Sequence, residues 1–225
     1  MEVLKYAFVI IFSYLCGSFS TSIFISKLLY GIDVRNYGSG NAGASNTLRT
    51  LGAKKAVVVL LGDVLKVVVP ILIAKWVGIE YPVLIAGSFA VLGHAKPIFY
   101  GFKGGKGVAC SLAILLMFDW KMTFPVLLLF AIGFLSTKMI SIGTFCAIIT
   151  AWIYIFINYG SDPVLLVYFT CLAAYLFWLH RSNIKRLING TESKIDFKAR
   201  LLKDVEKKEH IAFPLRGRCH TKCDG

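Results

Sequence analysis

Four glycines and two lysines lie close together in the stretch GFKGGKGVA, residues 101–109, between two apolar runs. Consecutive glycines allow successive backbone N–H groups to point into one concavity, and a helix that starts after them would add the free N–H groups of its first turn. The stretch is not a Walker A loop, because Tyr100 stands where that motif needs its first glycine. It indicates either a site for a phosphate-sized anion or a flexible turn with lysines at the membrane interface. The candidate anion ligands are Lys103, Lys106 and the backbone of Gly104, Gly105 and Gly107.

A second stretch rich in small residues, GSGNAGASNTLR, occupies residues 38–49. Arg49 offers a planar guanidinium suited to a phosphate oxyanion. Neutral donors and acceptors surround it, and they are Ser39, Asn41, Ser45, Asn46 and Thr47. The structural alternative is a helix cap, since Asn46 or Thr47 is a residue type that begins helices.

The third polar stretch, HRSNIKRLINGTESK, covers residues 180–194. His180 and Asn183 are three residues apart and therefore share one face of a helix. Three basic residues of this stretch, Arg181, Lys185 and Arg186, are interpreted as anchors at the membrane interface. Glu192 is expected either to orient a nearby Lys or Arg or to be solvated.

Three more ionisable residues lie at the ends or in the middle of apolar runs. His94 ends one run and is interpreted either as a catalytic group or as a hydrogen-bonded interface residue. Asp63 and Lys66 lie within another run, three residues apart, so they can pair on one helix face. Charges inside a membrane are costly and tend to be functional, and both a structural ion pair and a direct chemical role remain open.

The elements that must position these residues are membrane helices. The 225-residue chain is 57% hydrophobic with a mean hydropathy of +0.70, well above a soluble domain. These values predict an all-α, polytopic membrane helix bundle, most simply with seven transmembrane helices. The short fourth run leaves five spans with re-entrant pieces as an alternative. The apolar runs cover residues 3–29, 55–77, 81–100, 107–118, 122–137, 140–158 and 163–180.

The distribution of basic residues predicts the orientation of the bundle. The connectors at residues 78–82, 119–122 and 158–163 carry one basic residue, Lys121. The other side receives the tail and Arg35, Arg49, Lys54, Lys55, Lys96, Lys103, Lys106 and Lys138. Because basic loops stay cytoplasmic, all three polar stretches are expected on the cytoplasmic face. Residues 1–194 are predicted to be the membrane domain and residues 195–225 a basic cytoplasmic tail near anionic lipid rather than nucleic acid.

The sequence excludes several kinds of catalytic site. No G-x-S-x-G, H-E-x-x-H or acidic metal cluster occurs. Cys219 and Cys223, with His210 and His220 nearby, match no common zinc spacing and are interpreted as part of an untethered terminus rather than as a metal site. An enzyme built from the remaining residues would bind two anions beside the lipid without a metal or other cofactor.

In order, spacing and predicted membrane side, the three stretches resemble the signatures of the bacterial acyl-phosphate:glycerol-3-phosphate acyltransferase family. These signatures look like GSGN-x-GA-x-N-x-LR, GH-x-x-P…FKGGKG-VA and H-x-x-NI-x-RL-x-x-G-x-E, and they stand here at residues 38–49, 93–109 and 180–192. The resemblance covers residues 1 to about 194. Lys96 departs from it, because an apolar residue is usual there, and adds charge near the site.

The resemblance implies seven membrane helices in the bacterial plasma (inner) membrane, with the active site facing the cytoplasm. It implies transfer of a fatty acyl group from acyl phosphate to the 1-hydroxyl of sn-glycerol 3-phosphate, giving 1-acylglycerol 3-phosphate (lysophosphatidic acid) and phosphate in the first step of phospholipid synthesis. The implied partners are these two substrates and membrane lipids. An association with the enzyme that produces acyl phosphate stays open.

The resemblance also implies roles for individual residues. The catalytic candidates are Ser39, His94, Lys106, His180 and Asn183. The substrate-binding candidates are Asn41, Asn46, Thr47, Arg49, Lys103, Gly104, Gly105, Gly107 and Glu192. Ser39, His180 and Asn183 would hold the glycerol hydroxyl, and the proton acceptor is left open between His94, His180 and the phosphate of the substrate itself.

Two other functions fit basic loops at a membrane face. A transporter or channel for organic anions or phospholipid precursors would need charged or broken helices in the middle of the membrane. Only Asp63 and Lys66 indicate such a feature in the sequence. A catalytically silent lipid-binding scaffold would use the tail as a partner site.

Overall fold

The computed structural model describes residues 1–195, and that part of the chain is helical with no strand. Residues 1–194 form one compact unit. The predicted tail lies, from residue 196 onward, outside the described residues, as do Cys219, Cys223 and the two histidines near them.

Ten α-helices follow one another along the described residues. They are α1 (Glu2–Ser18), α2 (Thr21–Tyr30), α3 (Ala44–Leu51), α4 (Ala53–Val77), α5 (Pro82–Ala95), α6 (Val108–Phe118), α7 (Trp120–Thr137), α8 (Ile140–Tyr159), α9 (Pro163–Leu179) and α10 (Arg181–Ile188). Two single 3₁₀ turns precede glycine-rich stretches: Val34–Asn36 lies before residues 38–49, and Ile98–Tyr100 lies before residues 101–109.

All seven apolar runs are helical, and the predicted multi-pass helical bundle is confirmed. Within residues 1–195, five helical segments are long and apolar enough to cross a membrane, and the count becomes six if the bent pair α9 and α10 is one span. The helix α6 has only 11 residues, which is about 16 Å at 1.5 Å per residue. Seven crossings therefore stay a prediction that depends on how α6 is placed.

Glycines let α1 approach α5 very closely. A Cβ at Gly17 would overlap the backbone of Ala90, and one at Gly93 would overlap the carbonyl oxygen of Tyr14. Helices in lipid gain stability mainly from such close packing, since burial of apolar surface drives little association there. The contact fixes the end of α5, and with it His94.

Helix ends bring the polar stretches to one side of the bundle. Gly107 has φ 78°, in the left-handed region that suits glycine, and α6 begins at the next residue. The chain bends by 58° between α9 and α10, at His180. The loop before α3, the loop between α5 and α6, and the bend after α9 therefore converge.

Candidate active site

Two cavities meet where the three polar stretches converge. The first has a volume of about 450 Å³ and is lined mostly by apolar side chains of α4 and α6 to α9. Its polar end contains Arg49, Gly107 and His180. The second, of about 540 Å³, is lined by basic side chains, namely Lys96, Lys103, Lys106, Arg181 and Lys185, together with Gly104 and Gly105. Ser39, Asn41 and Lys106 line both cavities.

The loop before α3 is held in shape by Asn46. Its Oδ1 accepts hydrogen bonds from the backbone N–H of Ser39 at 2.8 Å and from the Ser39 hydroxyl at 3.1 Å. Its Nδ2 donates to the carbonyl oxygens of Val34 at 2.9 Å and Tyr37 at 3.0 Å. Asn46 is fully buried, so its hydrogen-bonding capacity is used inside the loop, which presents Ser39 to the cavities.

The predicted substrate-binding roles of Asn46 and Thr47 are therefore not supported by the structure. Thr47 is also fully buried, its hydroxyl donates to the carbonyl oxygen of Gly43 at 3.1 Å, and neither residue lines a cavity. Both lie in the first turns of α3, as the alternative of a helix start indicated. Asn41 and Arg49, by contrast, line the first cavity, and their substrate-binding roles stay predictions.

The glycine-rich loop differs from the predicted amide cradle. The N–H of Gly104 donates to the carbonyl oxygen of Ala95 at 3.3 Å, and the N–H of Gly105 donates to that of His94 at 3.0 Å. Both amides therefore donate to carbonyl oxygens at the C-terminal end of α5 and are not free to bind an anion. Glycine is needed at both positions because a Cβ there would overlap the backbone or ring of His94. Only Gly107, at the N-terminal end of α6, keeps the predicted geometry, because the first turn of a helix leaves its N–H groups without intrahelical partners.

A chain of hydrogen bonds runs from the third stretch to Lys106. Glu192 is buried, and its Oε1 accepts from Asn183 Nδ2 at 2.8 Å and from the Ser141 hydroxyl at 2.9 Å. Its Oε2 accepts from Arg186 Nε at 2.7 Å. Asn183 is thereby oriented so that its Oδ1 accepts from the ammonium of Lys106. The carboxylate of Glu192 is engaged by the protein, and its predicted role as a substrate ligand gives way to that of an orienting group.

The site lowers the pKa of Lys106. The pKa of Lys106 is lowered to about 8, mainly by burial and also by the charges of Arg186 and Arg49, while the charge of Glu192 partly opposes the shift. Burial alone would raise the pKa of Glu192, but the hydrogen bonds from Arg186, Asn183 and Ser141 outweigh it and hold that pKa below its ordinary value. Glu192 is therefore an anion at neutral pH.

The two buried histidines both line the first cavity, and in each of them Nδ1 is engaged by the protein. His180 Nδ1 lies 2.8 Å from the carbonyl oxygen of Leu176, which only accepts, so Nδ1 donates and Nε2 keeps a free lone pair. His94 Nδ1 lies 2.7 Å from the Nζ of Lys66. The predicted pairing of Asp63 and Lys66 on one helix face is confirmed, with a separation of 2.8 Å.

Sequence reasoning missed two residues that hold the site together. Arg35 pairs with Asp33 at 2.7 Å and donates from Nη1 to the carbonyl oxygens of Tyr100 at 2.7 Å and Lys103 at 3.0 Å. It thereby joins the turn before residues 38–49 to the glycine-rich loop. Ser141, which supports Glu192, lies in an apolar run, where a serine carries no signal in a single sequence.

The helical bundle and the two joined cavities define a class of protein: a multi-pass membrane protein that handles an apolar chain and a small anion side by side. A family model described as glycerol-3-phosphate acyltransferase matches residues 7–190. The chain belongs to the glycerol-3-phosphate acyltransferase family and is an acyltransferase.

Relatives and solved structures agree with this assignment. The glycerol-3-phosphate acyltransferase of Bacillus subtilis is 41% identical over 189 residues, which cover 84% of this chain and 97% of the relative. That of Clostridioides difficile is 40% identical over 203 residues, covering 87% and 98%. The crystal structure of PlsY (YgiH), an integral membrane glycerol 3-phosphate acyltransferase, in its glycerol 3-phosphate form has a TM-score of 0.80 and 37% identity, and the match covers 87% of this chain and 98% of PlsY. The lysophosphatidic acid form gives a TM-score of 0.76 and 36% identity, with 88% and 98% covered.

Proposed function

We propose that the protein transfers a fatty acyl group from acyl phosphate to the 1-hydroxyl of sn-glycerol 3-phosphate. The products are 1-acylglycerol 3-phosphate and phosphate, and the reaction is the first step of phospholipid synthesis. The observation that carries the proposal is the meeting of an apolar cavity and a basic pocket at Ser39, Asn41 and Lys106. PlsY, which has the same fold, was solved with glycerol 3-phosphate and with lysophosphatidic acid.

The apolar cavity suits the acyl phosphate donor. Its wall of leucine, valine and phenylalanine side chains accommodates a fatty chain, and its polar end carries Arg49, Lys106 and the start of α6. A phosphate held there would be neutralised by two cations and by the positive end of a helix dipole. Acyl phosphate is a mixed anhydride and is already activated, so transfer needs no nucleophile from the protein.

The basic pocket suits glycerol 3-phosphate. Five cationic side chains line it, and three of them, Lys96, Arg181 and Lys185, belong to elements other than the glycine-rich loop. A dianion from the aqueous phase is attracted into such a pocket over several ångströms. Its glycerol end would then reach Ser39 and Asn41 at the boundary between the cavities.

In the transfer step, the hydroxyl oxygen bonds to the acyl carbonyl carbon, and the bond from that carbon to the phosphate oxygen breaks. His180 Nε2 accepts the hydroxyl proton, because its Nδ1 is already a donor to Leu176. The ammonium of Lys106, oriented by Asn183, stabilises the phosphate as it leaves. Holding both reactants in line supplies much of the rate, up to about 7–11 kcal/mol in model reactions.

We further propose that the protein lies in the bacterial plasma (inner) membrane with the active site facing the cytoplasm, where glycerol 3-phosphate is available. The positive-inside distribution of Lys and Arg supports this orientation. Residues 1–194 would be the catalytic unit, so truncation after Lys194 should leave acyl transfer near the rate of the full chain. An association with the enzyme that produces acyl phosphate would deliver the donor within the bilayer.

The test of the function is a donor comparison with purified full-length protein and glycerol 3-phosphate. Acyl phosphate, acyl-CoA and acyl-carrier protein are supplied in turn, and phosphate release and 1-acylglycerol 3-phosphate are measured. We expect both products with acyl phosphate alone. Transfer from the thioesters only would refute the proposal. Glycerol 3-phosphate flux into protein-containing vesicles without any acylation would favour the transporter.

Two variants and a control test the site. Arg49→Ala and Lys106→Ala should abolish turnover while the protein still inserts and elutes as the wild type does. Lys54→Ala, on the exposed start of α4, should keep the wild-type rate. Wild-type rates in both site variants would overturn the assignment of these two cations.

A further inference from the structure

A buried polar network of three residues lies behind the glycine-rich loop, at the junction of α4 and α5. Asp63, Lys66 and His94 have 2%, 9% and 4% of their surface exposed. Burying charges inside a bundle is costly unless each is paired and hydrogen-bonded. The network therefore holds the three side chains in one defined hydrogen-bonding arrangement.

The three N–H groups of the Lys66 ammonium each have an acceptor. Its Nζ lies 2.8 Å from Asp63 Oδ1, 3.0 Å from the carbonyl oxygen of Phe19 and 2.7 Å from His94 Nδ1. An ammonium has three donors and no acceptor, so the third N–H is donated to His94 Nδ1. A neutral Lys66 would leave the buried Asp63 carboxylate without its counter-ion.

This contact determines the tautomer of His94. A neutral imidazole whose Nδ1 accepts a hydrogen bond carries its own hydrogen on Nε2. Asp63 Oδ1 lies 3.7 Å from Nδ1, beyond hydrogen-bond distance, so the carboxylate does not compete with Lys66 for that nitrogen. His94 is thus a hydrogen-bond donor at Nε2, whereas a general base would need a lone pair there.

Gly105 packs against the Nε2 edge of His94. A Cβ at residue 105 would overlap Nε2 and Cε1 of His94, so the imidazole edge lies directly against the glycine backbone. His94 lines the apolar cavity and Gly105 lines the basic pocket, which puts Nε2 at the boundary between them. Within residues 1–195 the side-chain hydrogen bond of His94 is made at Nδ1, and Nε2 makes none. A donor at the edge of the cavities without a protein acceptor can be given one by a ligand.

We propose that His94 donates its Nε2 hydrogen to the acyl carbonyl oxygen of the donor, and that Lys66 and Asp63 are positioning residues that hold His94 in this tautomer. The proposal rests on the acyl transfer proposed above. The donor carbonyl lies between its chain and its phosphate, which is held at the polar end of the apolar cavity. Nε2 lies at the boundary between that cavity and the basic pocket, where the glycerol hydroxyl would meet the carbonyl. As the hydroxyl oxygen bonds to the carbonyl carbon and the bond to the phosphate oxygen breaks, charge builds up on the carbonyl oxygen. The His94 hydrogen stays on Nε2 throughout.

Two amide substitutions of His94 distinguish a donor from a base. In His94→Gln an amide nitrogen can replace Nε2, whereas in His94→Asn the amide reaches only the position of Nδ1. We expect His94→Asn to lower kcat by about 10²–10³, the usual loss for an oxyanion donor. KM for acyl phosphate should change little, because the contact strengthens in the transition state. His94→Gln should restore most of the lost kcat.

Three results would overturn the donor role: equal losses in the two variants, a wild-type kcat in His94→Asn, or a loss confined to KM. A cooperative thermal unfolding transition in each variant would show that it is folded. An equal loss of kcat could then not be attributed to misfolding.

The tautomer is measured directly by ¹⁵N NMR of histidine-labelled full-length protein in detergent. The chain has four histidines, and the signals lost in His94→Gln identify His94. We expect the Nε2–H pattern for His94. It should be lost in Asp63→Leu/Lys66→Met and retained in Asp63→Leu/Lys66→Gln, which still has a donor at residue 66. Neither double variant leaves a lone buried charge.

An Nδ1–H pattern in the wild type, or the same pattern in both double variants, would refute the role of Lys66. The spectra need no substrate, so they judge the tautomer even if acyl phosphate proves not to be the donor. A failure of the proposed function and a failure of this inference are therefore distinguishable.

Discussion

Raising the pH should discharge Lys106 and inactivate the enzyme well before an ordinary lysine would titrate. Burial, together with the charges of Arg186 and Arg49, lowers its pKa to about 8. The protonated form, present below the pKa, is the one that stabilises phosphate. A group with this pKa is about 90% charged at pH 7 and about 10% charged at pH 9, so kcat/KM should fall about tenfold across this range. A lysine with the ordinary pKa would still be almost fully charged at pH 9.

The assay follows phosphate release and 1-acylglycerol 3-phosphate formation at initial rates from about pH 6.5 to about pH 9.5. The quantity to plot is kcat/KM for glycerol 3-phosphate, because it reports the ionisation of the enzyme before that substrate binds. Samples without glycerol 3-phosphate give the spontaneous hydrolysis of acyl phosphate, which is subtracted.

Two variants tie the alkaline fall to Lys106. Lys106→Arg keeps its charge throughout this range, so the fall should disappear even where the rate itself is lower. Glu192→Gln removes the carboxylate that raises the pKa of Lys106, so the fall should move to lower pH. A flat wild-type profile up to about pH 9.5, or an identical fall in Lys106→Arg, would refute the reasoning.

Three further substitutions test the cavity and the loops. Leu112→Trp fills the apolar cavity and should shift the preference toward shorter acyl donors, measured by kcat/KM across a chain-length series. Leu116→Trp, on the exposed face of the same helix, should leave the preference unchanged. Equal shifts in the two variants would contradict the assignment of the cavity. Asn46→Ala removes four hydrogen bonds of about 0.5–1.5 kcal/mol each, so the melting temperature should drop clearly, and an unchanged value would count against its role in the loop. Arg35→Met removes the hydrogen bond between the turn before residues 38–49 and Lys103, and it should raise KM for glycerol 3-phosphate several-fold in rate assays. Lys54→Met should leave this KM unchanged. A matching rise of KM in both variants would mean that only net charge matters.

The architecture could be predicted from the sequence because it depends on properties that one sequence displays. Apolar runs long enough to cross a bilayer mark the helices, and every run predicted is helical in the structure. Polar stretches that separate such runs lie at the ends of helices, and the basic residues predicted that three of these stretches share one face. Ser39, Lys106 and His180 were therefore expected near one another, and they line one cavity. The motifs around them also indicated the family to which the chain belongs.

The contacts inside the site could not be predicted, because residue type does not determine partner. Asn46 and Glu192 have side chains suited to a substrate, yet both are occupied by the protein. The glycines of the central loop suggested exposed amides, but the loop lies so close to the end of α5 that those amides bond to it. Lys66 and His94 are 28 residues apart, and nothing in the sequence indicates that one sets the tautomer of the other.

The short helix α6 has a consequence for where water and lipid meet. Its 11 residues extend about 16 Å, roughly half of a hydrocarbon layer about 30 Å thick. With its Phe118 end at one surface of the bilayer, its first residue lies near the midplane, and Lys106 lies just beside it. In that placement a water-soluble substrate would enter the hydrocarbon layer to react, and the fatty chain of the donor would react without leaving the bilayer.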